Sequence, residues 1–185
     1  MIHDHPITAR AQLYSPSSAP VPLAQRTDSS IVAPSVDSPI KHYQPLTDGF
    51  ARQLTYLRLS ITDFCNFRCE YCLPNGYQGK RPDDELSVSE IATLIKGFAQ
   101  VGTEKVRITG GEPSIRRDVV DIIDTIKSTD GIKTVAMTSN GYKLGKHLAN
   151  WQAAGLNQLN ISMDSFDADT FYKMTGFNTQ PQLIK

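Results

Sequence analysis

The chain has 185 residues, 39% of them hydrophobic and 21% charged, and its 19 Lys and Arg are balanced by 19 Asp and Glu. Such a composition suits one soluble globular domain or part of a larger one, and zero net charge gives no broad basic face for a nucleic-acid polymer or an anionic membrane. No apolar run approaches the roughly 20 residues of a membrane span. The N-terminus has no apolar signal core, and Asp4, Asp28 and Asp37 among two arginines do not suit a transit peptide, so a cytoplasmic protein is expected.

Residues 1–45 scatter Pro6, Pro16, Pro20, Pro22, Pro34, Pro39 and Pro45 among Ser, Ala and Thr, without apolar periodicity. That block predicts a disordered N-terminal tail, in which His3 and His5 are incidental. Residues 46–185 form the folded part. Leu54 to Ile61 reads as a buried strand, followed directly by a loop with Cys65, Cys69 and Cys72. Ser87 and Glu90 make a capping box, Ile91, Leu94, Ile95 and Phe98 give the helical face behind it, and Gly102 ends the helix.

A second strand, Lys105 to Thr109, runs into Gly110-Gly111-Glu112-Pro113. Val119, Val120, Ile123 and Ile126 mark the next helix, and Ile132 to Thr138 the third strand. Leu144, Leu148 and Trp151 mark a third helix stopped at Gly155, with Trp151 in the core. Leu159 to Met163 is a fourth strand, and a helix starts near Asp167. This alternation predicts an α/β fold with a parallel sheet, whose functional residues sit at the carboxyl ends of its strands. Lys185 falls within or just after the fourth helix, and a parallel sheet ending there exposes an edge strand, so the expectation is the front part of a longer domain.

The chain's only three cysteines follow the pattern Cys-x3-Cys-x2-Cys. Three make a poor disulfide framework and point to metal or redox chemistry. Structural zinc wants four protein ligands, for which only His42 and His147 offer themselves. A cubane iron–sulfur cluster held by three thiolates keeps one iron open to an outside ligand. Arg58 and Arg107 each lie in an otherwise apolar strand, where a buried guanidinium needs a partner. Thr138 and Ser162 stand at strand ends, where a hydroxyl can also simply bond to backbone. Arg116 and Arg117 read as helix-start or surface residues, with a phosphate contact as the alternative.

The cysteine motif with Tyr71 before its last member, and Gly110-Gly111-Glu112-Pro113 after the next strand, resemble the radical S-adenosylmethionine superfamily. The flanks Leu46–Phe50, Leu57–Ser60, Cys65–Cys69, Tyr71–Pro74, Thr103–Pro113 and Arg116–Asp118 narrow the resemblance to the GTP 3′,8-cyclases, the molybdenum cofactor biosynthesis protein A family. It covers the chain from about Leu46 onward. It implies a partial parallel (β/α) barrel, six-stranded when complete and here cut after about four strands.

It also implies a [4Fe-4S] cluster on Cys65, Cys69 and Cys72, S-adenosyl-L-methionine against Tyr71, Gly111 and Ser162, and GTP against Arg58, Arg107 and Thr138. In that family the cluster reductively cleaves S-adenosylmethionine. The radical so formed removes hydrogen from C3′ of GTP, and C3′ joins guanine C8. The product is (8S)-3′,8-cyclo-7,8-dihydroguanosine 5′-triphosphate, the first step of molybdenum cofactor synthesis. A flavodoxin- or ferredoxin-like electron donor and a homodimer of the complete protein follow from the same resemblance. No catalytic side chain is assigned. The family's second cysteine set and Gly-Gly end have no counterpart, since no cysteine follows Cys72. Two other readings stay open: another radical S-adenosylmethionine maturase, and a non-catalytic cluster- or zinc-binding fragment.

Overall fold

The computed structural model describes residues 43–79 and 85–178. Most of the predicted tail, with His3, His5 and His42, lies outside these residues.

Four strands form one sheet in the order β1 (Tyr56–Ser60), β2 (Lys105–Thr109), β3 (Thr134–Ser139) and β4 (Gln158–Ile161). Every neighbouring pair is parallel. Helices α1 (Val88–Gln100), α2 (Val119–Lys127) and α3 (Leu144–Ala153) connect the strands, and α4 (Ala168–Thr175) follows β4. This open α/β sheet is the expected partial barrel. A short 3-10 turn, Pro113–Ile115, separates β2 from α2 and takes Pro113 at its start, where a missing amide costs nothing.

Local sequence explains the helices. The Ser87 hydroxyl accepts from the Glu90 amide, and the Glu90 carboxylate accepts from the Ser87 amide, which closes the expected capping box. In α2, Val119, Ile122, Ile123 and Ile126 recur at helical spacing and all are buried. In α4 the Asp167 side chain caps the Thr170 amide, and Gly176, with φ of +63°, turns the chain out.

The strands alternate by face. Leu57 and Leu59, Val106 and Ile108, Val135 and Met137, and Leu159 and Ile161 join the helices' isoleucines and Trp151 in one apolar core. Each fully buried side chain of this size contributes about 1.5–3 kcal/mol. Arg58, Arg107, Thr138 and Asn160 occupy the other face, as the period of two requires. In register Arg58 pairs with Arg107 and Thr138 with Asn160.

The first strand corrects the expectation of a buried segment from Leu54 to Ile61. Regular pairing covers Tyr56–Ser60 only, Leu54 is 52% exposed, and β1 is buried on one face. Among the described residues β1 pairs with β2 alone and so has one neighbour in the sheet.

Candidate functional site

The cysteine loop leaves the carboxyl end of β1 and is held from two sides. Phe67 is buried between Phe171, edge-on at 5.8 Å, and Phe177, stacked at 4.7 Å. The amides of Arg68 and Glu70 donate to the carbonyls of Thr175 and Met174 at 2.8 and 3.0 Å. Those carbonyls end α4 and have no partner within the helix, so the loop supplies what the helix end lacks. The amides of Cys72 and Leu73 both donate to the Cys69 carbonyl, at 3.0 and 2.9 Å, which folds the last two cysteines into one turn. Cys65 Sγ accepts from the Phe67 amide at 3.4 Å.

Gly110 and Gly111 lie flat against this loop. The Gly111 amide donates to Thr62 carbonyl oxygen at 2.7 Å and the Glu112 amide to that of Phe64 at 2.9 Å. A Cβ on Gly110 would stand 2.3 Å from the Thr62 oxygen, and one on Gly111 2.4 Å from the Phe64 oxygen. Glycine is required here because two stretches of backbone touch. The Gly111 amide is therefore engaged, and the carbonyl is the backbone group it can offer a ligand.

Glu112 is 1% exposed, and its carboxylate accepts from the Ser114 amide, the Ser139 hydroxyl and the Asn140 amide at 2.9, 2.8 and 2.6 Å. Asn140 Nδ2 in turn donates to Asn66 Oδ1 at 3.0 Å, beside Cys65. One buried carboxylate thus ties the ends of β2 and β3 together and reaches the cysteine loop through one more side chain. The Asn66 amide nitrogen is buried with no partner among the described residues.

The Tyr71 hydroxyl donates to the Asp164 carboxylate, 2.9 and 3.1 Å from its oxygens. This joins the loop to the residue just past β4. Desolvation first, and then the hydrogen bond to Asp164, push the Tyr71 phenol well above its ordinary range. Burial raises the Cys65 and Cys69 thiols, with smaller contributions from neighbouring negative charge: Glu112 for Cys65 and Asp164 for Cys69. Cys65 and Cys69 are half-buried and Cys72 is exposed.

The remaining expected residues fall on the strands. Ser162 is exposed at the end of β4, and its amide donates to the Ser139 carbonyl at 2.9 Å. Arg107 Nη1 donates to Thr138 Oγ1 at 3.2 Å, and its Nε to the Tyr56 hydroxyl at 2.7 Å. The expectation that both arginines are buried is corrected: Arg107 is half-buried and Arg58 is exposed, because both stand on the open polar face.

Arg116 is the opposite case. It was expected at a helix start or on the surface, yet it is 5% exposed. It donates to the carbonyls of Ile61 and Leu86 and to both oxygens of Asp118. Arg117 is exposed. The sequence assigns no role to Glu112, Asn66, Asn140 or Asp164, although each lies within or beside one of its strand-end motifs.

Among the described residues no group of three or more His, Cys, Asp or Glu converges as a site for one metal ion. No helix among them is long and apolar enough to cross a membrane.

The model of the radical SAM superfamily matches residues 59–184. A GTP 3′,8-cyclase of Vibrio vulnificus (strain YJ016) is 54% identical over 143 residues, which are 76% of this chain and 43% of that protein. One of Pectobacterium atrosepticum is 58% identical over 133 residues, 71% of this chain and 40% of that protein. The chain therefore spans about two fifths of the length of these relatives. Among solved structures, that of Streptococcus suis SuiB bound to S-adenosylmethionine aligns with a TM-score of 0.58 at 17% identity, over 69% of this chain and 29% of that one. The structure of HydG, a maturase of the [FeFe]-hydrogenase, aligns with a TM-score of 0.55 at 16% identity, over 68% of this chain and 29% of that one. At such identities these two speak for the fold alone.

Proposed function

Since this chain belongs to the radical SAM superfamily, we propose that it is the cluster-binding part of a GTP 3′,8-cyclase. The observation that supports this best is the direct seating of Gly110–Glu112 on the three-cysteine loop, beside a strand face that pairs Arg58 with Arg107. The tail and the body, divided near residue 45, would be separate in role, with the chemistry confined to the body.

The residues fit a [4Fe-4S] cluster. Three free thiols lie on one loop, the donor set that holds a cubane and keeps one iron open. The amide donated to Cys65 Sγ is of the kind that steadies a cluster thiolate, and the Asn66 amide nitrogen is a buried donor waiting for an acceptor. Cys65, Cys69 and Cys72 would hold the cluster and leave one position open. With S-adenosylmethionine bound there, the group supplies the one-electron reduction that starts radical chemistry on GTP.

The protein's share is binding and orientation. The Gly111 carbonyl is an acceptor, suited to the ammonium of the methionine moiety. Tyr71 on the loop and Ser162 at the end of β4 would contact the same cofactor, and the Asp164 carboxylate accepts from the Tyr71 hydroxyl. Arg58 and Arg107 are neighbours in register on one face of the sheet, and two arginines so placed suit an anion such as a triphosphate. Thr138 and the Tyr56 hydroxyl hold the Arg107 side chain in place. A flavodoxin- or ferredoxin-like electron donor, a homodimer of the complete protein and a cytoplasmic setting belong to the same proposal.

Arg107→Ala in the intact protein tests it. Anaerobic equilibrium binding should show GTP weakened about 10- to 100-fold, the worth of one charge-assisted contact. Guanosine binding and cleavage of S-adenosylmethionine should change little. Unaltered GTP affinity would remove the phosphate role from this strand face.

A further inference from the structure

The cysteine loop has two ends, and one side chain holds both. Ile61 is the residue immediately after β1, where the loop begins. Leu86 immediately precedes Ser87, the cap of α1, where the loop has ended. Arg116 Nη1 donates to the Ile61 carbonyl at 2.6 Å, while Nη2 donates to the Leu86 carbonyl. The guanidinium is itself gripped by Asp118, with Nε to Oδ1 at 2.7 Å and Nη2 to Oδ2 at 3.0 Å.

We propose that Arg116 is a positioning residue for the cysteine loop, a buried clamp that draws its entry and exit together and so sets the geometry in which Cys65, Cys69 and Cys72 are presented.

A guanidinium this deeply buried is retained where its donors find acceptors, and Arg116 makes four such bonds, two of them to a carboxylate. Its geometry is one that lysine cannot copy. Two carbonyls and one carboxylate around a rigid planar fork need donors at fixed angles, and an ammonium is a single point charge. Position makes the contact specific to the loop. The entry is also fastened by the Gly111 and Glu112 amides on Thr62 and Phe64. The Thr62 hydroxyl also meets the Glu85 carboxylate, a second tie between entry and exit. Arg116 adds the buried one, because it reaches Ile61 and Leu86 together. Closing a loop fixes its ends, and ends held by one rigid group leave the segment between them fewer arrangements. Arg116 also follows the 3-10 turn that carries Ser114, itself bonded to Glu112. One short turn therefore joins the clamp to the Gly110–Glu112 seat.

The inference rests on the three cysteines being cluster ligands, so its test reads the loop and the cluster separately, in the intact protein. Arg116→Lys keeps the charge and removes the fork. In the cluster-free protein, amide exchange in residues 62–79 should quicken about tenfold, the worth of a lost charge-assisted bond. Amides of β3 and α2 should keep their wild-type rates. After anaerobic reconstitution, a ferrous chelator should strip iron from the variant about tenfold faster than from wild type. If Arg116→Lys does not fold, Asp118→Asn, which loosens the guanidinium but leaves its carbonyls, should show the same pattern more weakly.

Equal loop exchange and equal iron release in the folded variant would overturn the clamp. So would a uniform rise in exchange across β3, α2 and the loop, since that is general destabilisation. A wild-type protein that takes up no iron and sulfide would instead refute the cluster reading, and the exchange measurement would still decide the clamp.

Discussion

Replacing Glu112 tests whether one buried carboxylate organises the site. Its Oε1 accepts from the Ser114 amide and the Ser139 hydroxyl, and its Oε2 accepts from the Asn140 amide. Glu112→Gln keeps the shape but turns one oxygen into a donor. Facing Oε1 that donor meets the Ser114 amide, and facing Oε2 it meets the Asn140 amide, so one bond is lost either way. The expected cost is about 1–3 kcal/mol, that of one buried group left unsatisfied. Glu112→Ala deprives all three donors and leaves a cavity, for about 3–6 kcal/mol. Urea unfolding of the cluster-free intact protein gives both values, and amide exchange at Ser114 and Asn140 localises them. Equal costs for the two variants, or a Gln variant as stable as wild type, would show that the three bonds do not carry this weight.

Two further predictions concern the backbone and the cap. Gly111→Ala places a methyl 2.4 Å from the Phe64 carbonyl oxygen and 2.7 Å from that of Asp63, so the loop must shift; about 1–3 kcal/mol is expected to be lost in thermal unfolding. Gly97→Ala is the control: its Cβ would meet nothing within 4 Å inside α1, and it should gain about 0.5–1 kcal/mol. The Glu90 carboxylate is held below its usual pKa by the Ser87 hydroxyl and amide, so its contribution is present above the unfolded value and lost as pH falls through the lowered folded one. Melting temperatures between about pH 6 and pH 3 should therefore fall less steeply for Glu90→Gln than for wild type, and identical slopes would deny the cap its charge.

What could be read from the chain was what repeats locally. Val119, Val120, Ile123 and Ile126 announce α2, and Ser87 with Glu90 announces the start of α1. The three cysteines are visible as a spacing. The alternation Leu57, Arg58, Leu59, Ser60 also held the one-sided burial of β1, which the apolar look of the segment concealed. The contacts that assemble the site carry no such signal. Arg116 reaches back 55 residues to Ile61, Asn140 reaches 74 to Asn66, and Tyr71 reaches 93 forward to Asp164. An arginine beside another arginine before an aspartate looks like surface until the fold closes over it. Likewise the motif does not announce that the Phe64 backbone lies where a Cβ on Gly111 would stand.

The most direct measurement of the account is an anaerobic incubation of the intact protein, reconstituted with iron and sulfide, with reductant, S-adenosylmethionine and GTP deuterated at C3′. The account predicts that deuterium appears in the 5′-deoxyadenosine released as GTP is consumed, and that replacing any of Cys65, Cys69 or Cys72 by Ala abolishes both. Cleavage of S-adenosylmethionine with GTP untouched, and no deuterium transferred, would contradict it.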